Sequence, residues 1–263
     1  MHNAALAQAG LSGWRYQLLP VPPELLAEVV AALPPAGFAG ANVTIPHKEA
    51  ALALATAPTD RARAIGAANT LTFPAAGETV ADNTDAPALI AALPIGATGA
   101  TVLVLGAGGS ARAAVWALLD AGAAEVRVWN RTADRARRLC DELGATPATG
   151  GADAIAIAGA GAGAGSDILV NCTSAGLDGA SPFDGLPVTA ADLERFRCVV
   201  DFVYAPGGSK LVGQARARGV AAVDGLELLV GQGALSFERF TGVRPSTATM
   251  RAAAADDSYR PAA

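Results

Sequence analysis

Apolar and polar residues alternate with two different rhythms along the chain. In "PPELLAEVVAALP" (22–34) apolar side chains fall at 25, 26, 29, 30 and 33, the spacing of one helical face. Ahead of it, "RYQLLPV" (15–21) predicts a short strand ending in turn prolines. "FAGANVTI" (38–45) predicts another strand, and Pro46 is placed to be the first residue of a helix through "HKEAALALA". "NTLTF" (69–73) and "ETVADN" (78–83) predict the arms of a hairpin around "PAAG". "TDAPALIAAL" opens a further helix, with Thr84 as its cap candidate.

At residue 101 the rhythm changes. "TVLVLGAGG" is a continuous apolar strand running into glycines, "SARAAVWALLDAG" a helix ending at glycine, "EVRVWNR" a second strand and "TADRARRLCDELG" a second helix. "DILVNCTSAG" (167–176), "CVVDFVY" (198–204) and "GVAAVDG" (219–225) predict further strands, with "SKLVGQARAR" a helix between the last two. Strands alternating with helices imply a parallel sheet covered on both faces. The expected fold is therefore α/β, with residues 86–224 forming a Rossmann-like, doubly wound nucleotide domain. Residues 1–85 are expected to form a smaller α/β substrate domain, to which the helix "GLELLVGQGALSFERFTG" (225–242) returns within 225–263. A ligand cleft between the two is the corresponding expectation. The tail from Ala252 is expected to fray, and "GGADAIAIAGAGAGAGSD" (150–167) reads as a flexible connection or a poorly packed element without chemistry.

Composition narrows the function. Of 263 residues 52% are apolar and 16% charged, enough for a sizeable core and too apolar for wholesale disorder. A net charge of −5 argues against nucleic acid or an anionic membrane as partner. Cys140, Cys172 and Cys198 are odd in number, far apart and without metal-ligand spacing, so buried free thiols in a reducing compartment, with no metal, are expected. No apolar run reaches the ~18 residues of a membrane span, and "MHNAALAQAGLSGW" lacks the basic and apolar regions of a secretory signal. A cytoplasmic protein is expected, monomer or homodimer.

"VLVLGAGGSARAA" places Gly106, Gly108 and Ala111 in G-x-G-x-x-A spacing between a predicted strand and a predicted helix. The first glycine makes a tight turn, the second lets backbone approach a pyrophosphate, and the small third residue packs helix on strand. N–H groups of Ala107, Gly109 and Ser110 then belong to the same anion-binding turn. Where a carboxylate would hold the ribose of NAD, the second strand ends in Asn130, followed by Arg131, Thr132 and, one helical turn on, Arg135. A neutral side chain removes repulsion toward a 2′-phosphate and a guanidinium pairs with it, so NADP is expected rather than NAD.

Three segments of the first part carry polar residues where apolar ones would pack better: "NVTIPHK", "GAANTL" and "DNTDAP". Taken singly, loop asparagines and aspartates are usually caps and turns. Taken together, at this spacing and followed by "GAGGSARA", "NRT", "NCTSAG", "DFVYAP" and "DGLELLVGQGA", they resemble the shikimate dehydrogenase family over nearly the whole chain. The resemblance implies reversible reduction of 3-dehydroshikimate to shikimate with NADPH. It implies that Lys48 and Asp85 are the catalytic pair, and that Thr44, Asn69, Asp85, Tyr204 and Gln232 hold the substrate. It places Thr173 of the "NCTSAG" turn, Phe202 and Gly225 beside the nicotinamide and Asp60 near the cofactor. His47 reads as a surface residue or one that supports the site from behind.

Ketone reduction needs a hydride, which a nicotinamide supplies, and a proton from a group within hydrogen-bond reach of the oxygen. Lys48 suits the second role, because a helix N-terminus disfavours its positive charge by ~0.3–1 kcal/mol. The sequence departs from the family in three places. The family has a strand and a Ser-x-Ser-Pro turn before a segment like "MHNAAL"; an upstream start is the favoured explanation, a short chain with a weakened substrate site the other. Leu228 replaces a usual methionine with similar volume, and Glu227 replaces a common glycine without a physical account. Two alternatives stand beside the main reading: a quinate/shikimate dehydrogenase, against which Asn130 and Arg131 argue, and a non-catalytic NADPH-binding sensor.

Overall fold

Two sheets organise the chain in a computed structural model that describes residues 1–74, 77–150, 167–177, 180–205 and 207–256. The Ala75–Ala76 tip of the expected hairpin and the Gly/Ala-rich stretch at 151–166 lie outside the described residues. The chain divides into two compact units, Met1–Ala88 with Val230–Ala263, and Leu89–Leu229.

The first unit begins with α1 (His2–Gln8), a 3-10 turn at Pro23–Leu25 and α2 (Leu26–Ala32). It continues through β1 (Gly40–Asn42), α3 (Lys48–Ala53), β2 (Ala57–Pro58), α4 (Asp60–Ile65), β3 (Thr70–Thr72), β4 (Val80–Asp82) and α5 (Asp85–Ala92). The sheet order is β1-β3-β4-β2, with β3 antiparallel to both neighbours and β2 parallel to β4. The hairpin forms as the alternation predicts, with Thr70 opposite Asp82. Leu26 and Val30 of α2 and Ala51 of α3 pack on Leu71 and Ala81, so the apolar stripe at 3.6-residue spacing covers one face of the sheet.

Two expectations fail locally. Residues 15–21 form no strand. Tyr16 satisfies its backbone on a side chain instead: its N–H donates to Asn3 Oδ1 (2.8 Å) and its carbonyl accepts from Asn3 Nδ2 (2.9 Å), while its ring stacks on His2 at 4.1 Å. β1 is consequently an edge among the described strands. Its register with β3 turns the N–H and C=O groups of Gly40 and Asn42 away from β3, and Gly40 borders a hollow of about 420 Å³ also lined by Trp14, Tyr16, Phe38 and Phe240. Second, α3 starts at Lys48 and not at Pro46, because Pro46 lies inside a turn closed by His47 N–H to the Thr44 carbonyl (2.9 Å).

The second unit holds β5 (Thr101–Leu105), α6 (Gly109–Asp120), β6 (Glu125–Trp129), α7 (Ala133–Leu143), β7 (Thr146–Pro147), β8 (Ile168–Asn171), β9 (Cys198–Asp201), α8 (Lys210–Ala217) and β10 (Ala221–Val223). All six strands are parallel, in the order β10-β9-β8-β5-β6-β7. Val102 and Val104 face a cluster with Ala114, Leu118 and Leu139, while Leu103 and Leu105 face Leu193, Leu211 and Ala215. Burial on both faces is why "TVLVL" is continuously apolar instead of alternating. Cys140 and Cys198 are buried and Cys172 half-buried, and all three thiols are free. Burial pushes Cys140 and Cys198 up to about 11.

α9 (Gly225–Thr241) and α10 (Thr247–Ala255) are the last helices among the described residues, so helix continues three residues past the expected fraying point at Ala252. The glycines of α9 allow close packing: a Cβ at Gly231 would stand 3.2 Å from that of Ala88.

Candidate active site

The Thr44–His47 turn delivers Lys48 to the first position of α3, and the "DNTD" segment delivers Asp85 to the first position of α5. Lys48 Nζ donates to Asp85 Oδ2 at 2.6 Å, with side-chain exposures of 11% and 8%. The helix start thus carries an ammonium, but a carboxylate in direct contact answers the field there.

Asn69 organises the surroundings. Its Oδ1 accepts from Thr84 N–H (2.8 Å), Thr84 Oγ (3.1 Å) and Thr70 Oγ (3.0 Å). That fixes the amide so that Nδ2 donates to Asp85 Oδ1 (2.9 Å) and Gln232 Oε1 (3.3 Å). Asn83 Oδ1 accepts from Asp85 N–H (3.1 Å) and Ala86 N–H (3.2 Å) and so fastens the start of α5. Lys48, Asn69, Asp85 and Gln232 are therefore brought together. Thr44 stands four residues before Lys48 on the exposed side of the turn. His47 Nε2–H donates to the Val21 carbonyl (2.8 Å), a support on the far side of the turn.

Composition and spacing did not single out Thr70 or the pairing of Asp82. Asp82 is 1% exposed; it accepts from Arg61 Nε (3.1 Å) and Nη2 (2.6 Å), from Thr59 Oγ (2.8 Å), and from Arg239. The sequence around Asp82 carries no local sign of these partners. Asp60, at the first position of α4, is fully in solvent beside Arg63 and apart from this cluster.

In the second unit, the order of strands reverses between β5 and β8, and β5 ends in the glycine turn. Gly106 has φ +107° and donates its N–H to the Trp129 carbonyl (2.8 Å). A Cβ there would come within 3.1 Å of the Cys172 carbonyl, so glycine is required both by conformation and by space. At Gly108 a Cβ would meet nothing within 4 Å, and the start of α6 that follows has no side-chain cap. Ala107, Gly109 and Ser110 border this open helix start, and Ala111 is fully buried against the sheet. An uncapped N-terminus at a switch point fits a pyrophosphate.

Asn130 Nδ2 donates to the Thr132 carbonyl (2.9 Å), closing the loop before α7. Arg131, Thr132 and Arg135 are exposed. Among the described residues neither arginine has a carboxylate partner, whereas Arg137 pairs with Asp134 and Arg112 with Glu142. Thr173 is half-buried and donates twice to Asn171 Oδ1. Phe202 donates its N–H to the Asn171 carbonyl (2.9 Å). Gly225 opens α9 directly against the Val203 carbonyl, where a side chain has no room. Tyr204 is 49% exposed, and Leu228 is buried in the sheet-face cluster.

A glycine turn at the switch point of a parallel doubly wound sheet, on a chain that also carries a buried lysine–carboxylate couple, defines a nucleotide-dependent oxidoreductase. Residues 1–71 match the shikimate dehydrogenase substrate binding domain, residues 91–175 the shikimate/quinate 5-dehydrogenase family, and residues 225–255 the shikimate 5'-dehydrogenase C-terminal domain. The NADP-dependent shikimate dehydrogenase of Methylobacterium radiotolerans is 46% identical over 252 residues, covering 93% of this chain and 86% of that protein. The crystal structure of shikimate 5-dehydrogenase from Thermus thermophilus with NADP(H) and shikimate superimposes with a TM-score of 0.80 at 36% identity, over 96% of this chain and 91% of that one. A 5-ketofructose reductase from a Gluconobacter strain reaches 0.78 at 31% identity, over 95% and 90%. The chain belongs to the shikimate dehydrogenase family.

Proposed function

We propose that this chain catalyses the reversible NADPH-dependent reduction of 3-dehydroshikimate to shikimate, a step of aromatic amino acid biosynthesis. The observation that carries the reading is the Lys48–Asp85 contact of 2.6 Å, held in a buried network with Asn69 and Gln232. When bound, NADPH supplies the hydride. Lys48 lies within reach of a ketone oxygen seated beside it and donates the proton that the forming alkoxide needs. Asp85 orients the ammonium through Oδ2, and Asn69 fixes the carboxylate through Oδ1. Thr44, Gln232 and Tyr204 present polar groups for the hydroxyls and carboxylate of the substrate. The glycine turn at 106–110 would take the pyrophosphate, and Arg131 and Arg135, together with Asn130 and Thr132, would take the 2′-phosphate. Thr173, Phe202 and Gly225 would border the nicotinamide, and the family resemblance assigns Asp60 to the cofactor as well.

The test is a substrate panel with NADPH: 3-dehydroshikimate, 3-dehydroquinate and 5-ketofructose, with NADH in parallel. The 5-ketofructose reductase among the structural neighbours makes the third substrate a necessary control. The expected result is turnover of 3-dehydroshikimate with kcat/KM far above the other two and with NADPH above NADH. NADPH binding without turnover of any of the three would replace this reading with that of a sensor.

A further inference from the structure

Asn171 ends β8 and Asp201 ends β9, and the two are register partners on neighbouring parallel strands. Neither is exposed by more than 1%. Asp201 Oδ1 accepts from Asn171 Nδ2 (2.9 Å) and from Val203 N–H (3.0 Å), and the Ser209 side chain also donates to this carboxylate. Because Asp201 engages the donor end of the Asn171 amide, its acceptor end must face the other way. There Oδ1 receives Thr173 N–H (3.1 Å) and Thr173 Oγ–H (2.7 Å), and Thr173 Oγ in turn accepts from Ala175 N–H (3.1 Å). A flipped amide would set Nδ2 against the Thr173 N–H, donor against donor. The turn so held is the one whose Cys172 carbonyl lies against Gly106 of the glycine turn.

This arrangement is expensive. Burial pushes the Asp201 carboxyl up from 3.8 to about 6, with the nearby Asp224 adding to the effect and the Ser209, Val203 and Asn171 hydrogen bonds opposing it. Asp224 is itself engaged by Ser209 N–H (3.1 Å) and Leu226 N–H (3.0 Å). An apolar residue at 201 would avoid the desolvation cost but leave the amide of Asn171 without its orienting partner.

We propose that Asp201 is a positioning residue for the reaction: through Asn171 it sets the Thr173–Ala175 turn, and thereby the seat of the nicotinamide, without touching substrate or cofactor. The inference rests on the reading above that this turn borders the nicotinamide.

The experiment compares Asp201→Asn and Asp201→Leu in the full chain. Asparagine can keep its oxygen toward Asn171 and Val203 and its amide toward Ser209, so kcat and NADPH affinity should stay close to wild type. Leucine removes the acceptor; kcat should fall and the Kd of NADPH should rise, each by ~10-fold. Adenosine 2′,5′-bisphosphate, which lacks the nicotinamide, should bind wild type and both variants equally. Should the leucine variant not fold, Asp201→Ala removes the same acceptor and the same pattern is expected. Wild-type NADPH affinity in the acceptor-less variant, or equal weakening of NADPH and the bisphosphate, would overturn the proposal. If wild type binds NADPH but reduces no 3-dehydroshikimate, the proposed substrate fails while the two binding measurements still test Asp201.

Discussion

Asp85 gives one carboxylate oxygen to Lys48, at 2.6 Å, and keeps the other for an amide donor at 2.9 Å, that of Asn69. Both oxygens are thus occupied by donors, one of them the ammonium.

Asn69 carries that geometry with five side-chain hydrogen bonds at 2% exposure. Asn69→Ala strands the buried Thr84 N–H and one oxygen of Asp85. Stability should drop by about 1–3 kcal/mol, read by urea unfolding, and kcat should drop with it. Asn69→Asp should reduce kcat more than it reduces stability, because it sets a second carboxylate against Asp85.

Arg131 is exposed and without a carboxylate partner among the described residues, next to the loop closed by Asn130. Arg131→Ala should raise the KM for NADPH by ~10-fold or more and leave that for NADH within about twofold. Steady-state kinetics with both cofactors at fixed substrate checks this. An equal effect on the two would detach Arg131 from the 2′-phosphate.

Two buried groups should tilt stability in opposite directions with pH. His2 is pushed down from 6.5 to about 4, first by burial, then by the charge of the adjacent amino terminus, against a hydrogen bond to the Gly233 backbone. Its folded form resists protonation, so its contribution is complete above about 6.5 and lost as pH falls toward 4. Asp201 is pushed up to about 6, mainly by burial, so the folded form holds its proton longer than the unfolded chain does. Its contribution is therefore largest near pH 4 and declines as pH rises toward 6. Asp201→Asn should steepen the gain in stability between these pH values, and His2→Gln should flatten or invert it. Urea midpoints from pH 4 to 7 in the three proteins give the slopes.

Much of this was legible because the parallel sheet buries both faces. "TVLVLGAGG" and "DILVN" have little choice but to be inner strands, "EVRVW" shows its strand by alternation with only Val126 and Val128 fully buried, and a Gly106 that needs positive φ marks the turn after the first. The hairpin of β3 and β4 was readable from alternation alone. Residues 15–21 were not, because a strand is made by its neighbour: with Tyr16 bound to Asn3, its apolar run forms no ladder. The α3 boundary shifted from Pro46 to Lys48 because proline suits a turn as well as a helix start. At the candidate site, Lys48, Asn69 and Asp85 stood out as polar residues in apolar surroundings. The supporting Thr70 and Asn171 did not, and neither did the counter-charges Arg61 and Arg239 on Asp82, whose pairings join separate elements far apart in the chain and leave no local signature.

Lys48 is proposed to deliver the proton during ketone reduction. This role is tested most directly by the rate of NADPH oxidation with 3-dehydroshikimate in wild type and Lys48→Ala, alongside the Kd of NADPH for each. In Lys48→Ala kcat should fall by ~10²–10⁴, with the Kd unchanged within about twofold. A Lys48→Ala protein that reduces 3-dehydroshikimate at the wild-type rate would contradict this role.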